Sequence, residues 1–430
     1  MHDPGPGDDL HAAPIVTAGQ DPTATPATPV TATPATTTPD TATATPATAT
    51  PAAATATQAT ATPGTTAAAT TRATKGERSG PKVHSPAQLS EWTTFRLGGP
   101  ATSLVEVESV EELAQVLARC EHEGTRVLIL GEGSNVLIAD EGFEGVVVRV
   151  GIMGRRLEGA AKGDSVVVEV GAGEKWADFV ASCVSEGLSG IEGLSGIPGL
   201  VGATPVQNVG AYGQDVGQTV QRVHVWDRTL RRSRAMLPPE CNFAYRTSLF
   251  RYNERYVVTK VTFRLEGSRL SQPLRYPEVA GYLGRRLGER AGLQETADAV
   301  LAIRRDKDML GTAASQAGQS TRSAGSFFTN PVLDEAELGR LREVAPEVPS
   351  FPGAQGIRVP AAWLVEHAGF RRGYRKGNAA ISAKHALAIV ALDGATSADV
   401  IALAREVRDA VLARFGLVLH PEPVLVGLHL

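Results

Sequence analysis

Between Pro22 and Thr71 the chain is almost entirely Thr, Ala and Pro, in TATP and PATAT repeats, which confines any folded structure to the residues beyond it. From Met1 to Thr71 the only charged residues are the aspartates Asp3, Asp8, Asp9, Asp21 and Asp40. With almost no large apolar side chains to bury, this stretch cannot offset the conformational entropy of folding. Residues 1–85 are therefore expected to be a disordered low-complexity tail, partly polyproline II in character and dispensable for chemistry. An interaction or localisation arm, or a glycosylated stalk on an exported protein, are the alternatives. Folding is expected from about Ser85 to Leu430, in more than one domain.

The formal net charge is −4, from 42 basic and 46 acidic residues, which leaves no basic excess for nucleic acid. Cys120, Cys183 and Cys241 are widely spaced, without a CxxC pair or metal-ligand spacing, and read as small buried hydrophobes in a reducing compartment. No metal site is expected. No run reaches the ~18 apolar residues of a membrane span. The N-terminus MHDPGPGDDL lacks the basic and apolar regions of a secretory signal, so a cytoplasmic location is expected.

Helical and strand signals alternate after Ser85, indicating α/β or α+β architecture in more than one layer. Val110–Glu123 has helical spacing, with Leu113, Val116, Leu117 and Cys120 on one side. Arg126–Leu130, Gly145–Val150, Ser165–Val170 and Tyr256–Leu265 read as strands, and Lys175–Glu186 as a helix. A final helix over Ser397–Phe415 is expected to face a core with Val400, Leu403, Val407, Val411 and Leu412.

Two loops have the composition of ligand cradles. Gly131-Glu-Gly-Ser-Asn135 comes after a strand and begins like GxGxxG, but Val136 stands where the last glycine would be. The next residues, Val136–Ala139, read as a strand, so the dinucleotide-binding context of strand, turn and helix is absent. Such a β-turn-β can still present backbone N–H groups to a phosphate, or be an ordinary hairpin. The second loop, Gly193 to Gly213, is rich in glycine, carries Pro198 and Pro205, and places Gln207 and Asn208 among small residues. Its backbone can approach a flat or charged ligand closely, and loops of that length are usually functional.

Four later segments carry candidate chemistry. Asn242–Ser248 sets Tyr245 and Arg246 beside hydroxyls; Arg304 and Lys307 lie in IRRDKD. Ser326 comes after a small-residue turn and precedes Phe327 and Phe328. Glu422 stands between Pro421 and Pro423, whose fixed φ stiffens the segment. Taken singly, each is also how surface packing, a solvated charge run or a turn residue looks.

In number and order these motifs resemble the UDP-N-acetylenolpyruvoylglucosamine reductase family, over about Leu89 to Leu430. The resemblance implies an α+β fold: a two-part FAD-binding region of the vanillyl-alcohol-oxidase/PCMH type and a smaller α/β substrate-binding domain. Residues 86–150 with 425–430, 151–310 and 311–424 would be the three parts. It implies non-covalent FAD on Thr94, Gly131, Gly133, Ser134, Asn135, Gly199, Thr204, Gln207, Asn208, Gly210 and Arg304. It implies NADPH and UDP-N-acetylglucosamine-enolpyruvate as substrates, in peptidoglycan precursor synthesis, and a monomer.

Arg246 and Glu422 match the residues that stabilise charge developing on the enolpyruvyl group, for which Glu422 would have to carry a proton. Ser326 matches the proton donor to the α-carbon. Serine is a poor acid in water and would need a proton relay or a strongly basic carbanion. Tyr245, Tyr276, Lys307, Asn330 and His385 match substrate-side positions, and Tyr276 marks the family type with an extra tyrosine loop. The sequence departs from the pattern at Pro423, where an aliphatic residue is usual, and in a longer Met309–Thr321 linker. His385 falls where the pattern varies between amide and imidazole. Two other readings stay open: a related FAD oxidase using oxygen, and a cell-envelope interaction protein using the fold as a scaffold. The intact trio of Arg246, Ser326 and Glu422 speaks against the scaffold.

Overall fold

Valine-rich segments with two-residue alternation build the largest sheet, because branched side chains suit a pleated, half-buried surface. In this computed structural model, which describes residues 80–160, 165–310 and 322–430, that sheet runs Arg232–Met236, Val220–Asp227, Tyr256–Gly267, Ser165–Gly171, Arg155–Ala160. All neighbours are antiparallel, and Leu188–Ser189 adds to one end of the central strand. The central strand Tyr256–Gly267 is buried along most of its length. Helix Trp176–Glu186 closes one face, its Trp176 and Phe179 rings 5.8 and 5.3 Å from Phe263.

A second sheet is mostly parallel. Pro100–Val107 and Val127–Leu130 both flank Phe143–Val150, with Lys82–His84 antiparallel at the edge. Parallel strands need a crossover. Helix Val110–His122 supplies it, with Ser109 accepting from Glu112 N–H at its start and Leu113, Val116, Leu117 and Cys120 buried. The sheet thus begins at Lys82, inside the stretch assigned to the tail. Residues 1–79, and 311–321 of the expected linker, lie outside the described residues. No described helix is long and apolar enough to cross a membrane.

The expected strand after Gly131–Asn135 forms as Val136–Ile138, but it does not return along Val127–Leu130. It pairs parallel with Val424–Val426 near the C-terminus. The turn therefore joins two sheets and is not a hairpin.

The C-terminal part surrounds Ser397–Phe415 with two small three-stranded sheets and the helices Glu335–Val344 and Ala361–His367. Thr396 and Asp399 cap the long helix, and Gly416 ends it at φ +69°. Val400, Leu403, Val407 and Val411 are buried as expected, but Leu412 is 43% exposed. One helical step of ~100° past Val411 carries Leu412 off the core face.

The segment Ser326–Phe328 ties this part to the rest. Ser326 bridges Ala388 and Phe327 N–H donates to Leu387 O on one edge; Phe328 bridges Pro421 and Phe327 O accepts from Glu422 N–H on the other. Phe327 and Phe328 pack at 5.2 Å and are 1% and 2% exposed. Phe327→Ala removes a fully buried ring and is expected to cost about 3–5 kcal/mol; equilibrium denaturation of the full chain measures it, and a loss below about 1 kcal/mol would contradict the placement.

Candidate active site

Both glycine-rich loops face one cavity of about 750 Å³. Gly131–Asn135 leaves the end of strand Val127–Leu130 in a turn that only glycine fits at Gly133: φ is +67°, and a Cβ there would lie 2.0 Å from Trp92 O. Thr94 holds this turn, its N–H on Gly133 O at 3.1 Å and its hydroxyl on Ser323 O at 2.7 Å. Across the cavity the second loop makes a short helical turn at Val201–Ala203, where a Cβ on Gly202 would meet Ala172 at 2.5 Å. The loops are linked directly. Gly199 N–H donates to the Glu132 carboxylate at 2.7 Å, the Ser134 hydroxyl donates to Pro198 O at 3.4 Å, and the Asn135 amide donates to Gln207 Oε1.

Thr94, Gly131, Gly133, Ser134, Asn135, Gly199, Thr204, Gln207, Gly210 and Arg304 all line this cavity. Asn208 does not. It is buried at φ +48°, donating to Ala244 O (3.0 Å) and accepting from Gly217 N–H (2.9 Å), so its amide folds the loop instead of facing a ligand. Arg304 is 5% exposed and donates through Nη2 to Met309 O, while its Nε–H has no partner.

Arg246, Ser326 and Glu422 line the same cavity, Arg246 beside the Glu422 carboxylate and Ser326 one residue from the backbone partner of Glu422. Arg246 sits in the tight turn Ala244–Thr247 at φ +55°, a left-handed conformation that costs a side-chain-bearing residue ~1–2 kcal/mol. Its Nε lies 3.0 Å from Glu422 Oε1, with side-chain exposures of 22% and 14%. Arg251, which sequence reasoning passed over, holds both: its guanidinium donates to Arg246 O and, at 2.9 Å, to Glu422 O. Its only signal was a second arginine closing RTSLFR. Pro423 does not turn Glu422 away. Val424 N–H beyond it donates to Asn135 O at 3.0 Å, and the Asn135 amide donates to Glu422 O at 3.2 Å.

The substrate-side candidates Tyr245, Tyr276, Lys307, Asn330 and His385 are not among the residues that line the cavity. His385 Nε2 is 2.9 Å from Ser326 Oγ. Burial, and then the charges of Lys307, Arg304 and Arg372, push its imidazole down to about 4. Lys307 pairs with Glu278 at 2.5 Å, on the short helix Pro277–Tyr282 that begins just after Tyr276. Tyr276 packs edge-on against Tyr212 at 5.3 Å. The guanidinium groups of Arg246 and Arg358 each lie 5.4 Å from the Tyr245 ring. Asn330 accepts from Ala361 N–H at 2.9 Å at the start of helix Ala361–His367. Among the described residues no group of His, Cys, Asp or Glu is placed to hold a metal.

The framework around the cavity has known counterparts. Residues 101–229 match the family described as "FAD binding domain". The chain is therefore an FAD-dependent oxidoreductase, with an α+β fold and a two-part FAD-binding region. Residues 316–426 match "UDP-N-acetylenolpyruvoylglucosamine reductase, C-terminal domain". The reductase of that name from Thermobifida fusca is 49% identical over 351 residues, covering 80% of this chain and 97% of its own. That from Salinispora arenicola is 46% identical over 354 residues, covering 80% and 96%. The crystal structure of UDP-N-acetylenolpyruvylglucosamine reductase from Thermus caldophilus superposes with a TM-score of 0.54 at 26% identity, covering 80% of this chain and 99% of that one. The chain belongs to the UDP-N-acetylenolpyruvoylglucosamine reductase family.

The cavity wall fits the cofactor's chemistry. A dinucleotide brings two phosphates, and here a buried guanidinium has an N–H without partner beside loops stripped of side chains. Gly199 N–H is already taken by the Glu132 carboxylate, which ties the two loops together.

Gly133→Ala would drive a methyl into Trp92 O and open the turn; purified protein is expected to lose most of its FAD, read from the flavin-to-protein absorbance ratio. His385→Gln tests the buried imidazole. Unfolding frees His385 to take up a proton below pH ~6.5, which the folded state refuses until about 4. Stability tied to His385 is thus complete above pH ~6.5 and lost as pH falls towards 4. The wild-type Tm should drop relative to the Gln variant over that window, and parallel curves would contradict it.

Proposed function

We propose that Arg246, Glu422 and Ser326 carry the NADPH-dependent reduction of the enolpyruvyl group of UDP-N-acetylglucosamine-enolpyruvate, giving UDP-N-acetylmuramate. The observation that carries this reading is their convergence on one wall of a cavity whose other walls suit a flavin dinucleotide. FAD, held by the Gly131–Asn135 turn, the Gly199–Gly210 loop and Arg304, supplies hydride when bound.

Reduction adds a hydride at the β-carbon and a proton at the α-carbon of the enol ether. Negative charge develops on the α-carbon and its carboxylate, so catalysis needs cationic and hydrogen-bonding groups fixed there beforehand. Arg246 is such a group: its turn and the bond from Arg251 hold it in place without reorganisation. Glu422 orients the guanidinium through the 3.0 Å contact and, when protonated, is a further donor to the substrate carboxylate. Ser326, one residue from the strand contact with Glu422, delivers the proton to the α-carbon. The pair Lys307–Glu278 and Tyr276 stand where a diphosphate and a closing loop are placed in this reading, that of the family type with the tyrosine loop.

Residues 86–150 with 425–430, and 151–310, form the cofactor region in this assignment, and 311–424 the sugar-nucleotide domain. A cytoplasmic monomer acting in cell-wall precursor synthesis completes it. Ser326→Ala is expected to be reduced by NADPH at the wild-type rate, yet to be reoxidised by the enolpyruvyl substrate at least ~10²-fold more slowly in anaerobic stopped-flow. Reoxidation at the wild-type rate would remove Ser326 from the donor role.

A further inference from the structure

We infer that His385 is a positioning residue for proton delivery: its Nε2–H donates to Ser326 Oγ, aims the serine proton at the cavity and stabilises the oxyanion left when that proton departs. This rests on Ser326 being the donor.

The geometry comes from two segments fixed against each other. Ser326 and Ala388 bridge, Phe327 N–H donates to Leu387 O, and Ala388 N–H closes a turn on His385 O at 3.1 Å. Backbone bonds thus set both the hydroxyl and the imidazole, and the 2.9 Å Oγ–Nε2 contact results from them. A serine hydroxyl has one proton and two lone pairs. If Nε2 accepted that proton, the proton would point away from the cavity and be unavailable to substrate. If Nε2 donates, the serine proton is free to turn towards the cavity, which Ser326 lines.

A neutral ring has one donor and one acceptor nitrogen, and the inference places the donor at Nε2. Burial and the charges of Lys307, Arg304 and Arg372 hold the imidazole uncharged at neutral pH, so it carries one N–H and has little tendency to take the serine proton outright. The step balances simply. The Ser326 O–H bond breaks, its proton forms the C–H bond at the α-carbon, and the electron pair stays on Oγ, where the Nε2–H bond meets it. Solvent then returns one proton to Oγ.

A hydrogen bond to a forming anion is expected to contribute roughly 10- to 100-fold in rate. The test uses full-length, FAD-loaded His385→Ala, His385→Asn and His385→Gln, with Ser326→Ala alongside. Ala removes the donor, Asn retains polarity but falls short of the Nε2 position, and Gln places an amide N–H near it. We expect Ala and Asn to slow anaerobic flavin reoxidation at saturating substrate about 10- to 100-fold. Gln should restore it to within a few-fold. NADPH reduction rate and FAD content should stay within a few-fold of wild type in all three, whatever each substitution costs in Tm. Ser326→Ala combined with His385→Ala should be no slower than Ser326→Ala alone, because one group acts through the other.

Three results overturn the inference: wild-type reoxidation in Ala and Asn, a raised KM with an unchanged saturating rate, or equal losses in both half-reactions. The second assigns His385 to substrate binding alone, and the third to structure. If Ser326→Ala itself reoxidises at the wild-type rate, the donor assignment fails, and that outcome is read independently of any His385 variant. Should Ala lose its fold, Asn against Gln decides.

Discussion

Two hydrogen-bonded edges on one short strip, Ser326–Phe328, hold the cavity's Ser326 and Glu422 segments together. One edge carries Leu387–Ala388 and the other Pro421–Glu422. The strip is anchored by two rings with almost no exposure, which sit in the same core as the long helix Ser397–Phe415. The hydroxyl, the imidazole and the carboxylate are therefore placed by backbone pairing and core packing, and none depends on a mobile side chain for its position. Arg246 alone arrives from elsewhere, on a tight turn, and Arg251 joins that turn to the same strip by bonding Arg246 O and Glu422 O.

Asn135 ties the two glycine-rich loops to the Glu422 segment, as Arg251 ties the Arg246 turn to it. The Asn135 side-chain amide links the Gly131–Asn135 turn to Gln207 of the second loop and to Glu422 O, and the Asn135 backbone carbonyl accepts from Val424 N–H. Three segments distant in sequence converge on one residue between the two sheets. Val424–Val426 then pairs parallel with Val136–Ile138, so the strand leaving the Gly131–Asn135 turn and the strand after Glu422 form one two-stranded sheet. Pro423 is tolerated there because the pairing begins one residue later.

Local pattern made much of this legible and left long-range pairing out of reach. Helical spacing located Val110–His122 and Ser397–Phe415, since burial repeats every turn and needs no knowledge of the partner. It misassigned Leu412, where the apolar stripe is wider than the buried one. Strand positions were readable from valine runs, but their partners were not: the β-turn-β at Gly131 offered no hint that its second strand belongs with the C-terminus. Glycines marked the cradle because only backbone sterics were at stake. Asn208 looked like a ligand amide and proved to be a loop brace, a distinction set by its own φ and by Ala244 and Gly217. Arg251 was invisible because its partners are carbonyls, which every residue has.

The distribution of unmet polar groups separates framework from site. Burial requires polar atoms to be paired, and a fold leaves few exceptions. Among the described residues the buried side-chain atoms without a hydrogen bond are Gln221 Oε1 and the Nε groups of Arg246, Arg304 and Arg358. Three are guanidinium nitrogens: two on the cavity wall, the third on the arginine that shares the Tyr245 ring with Arg246. Arg246 Nε lies within ion-pair distance of Glu422 but off the angle a hydrogen bond needs, and its backbone is held at positive φ. Desolvated positive charge and local strain both lower stability, and a fold that combines them at one wall has a reason to. An anionic ligand relieves the electrostatic part by pairing with the guanidinium groups. It stabilises the folded chain as it binds, so the site that is least satisfied alone is the one that ligand completes.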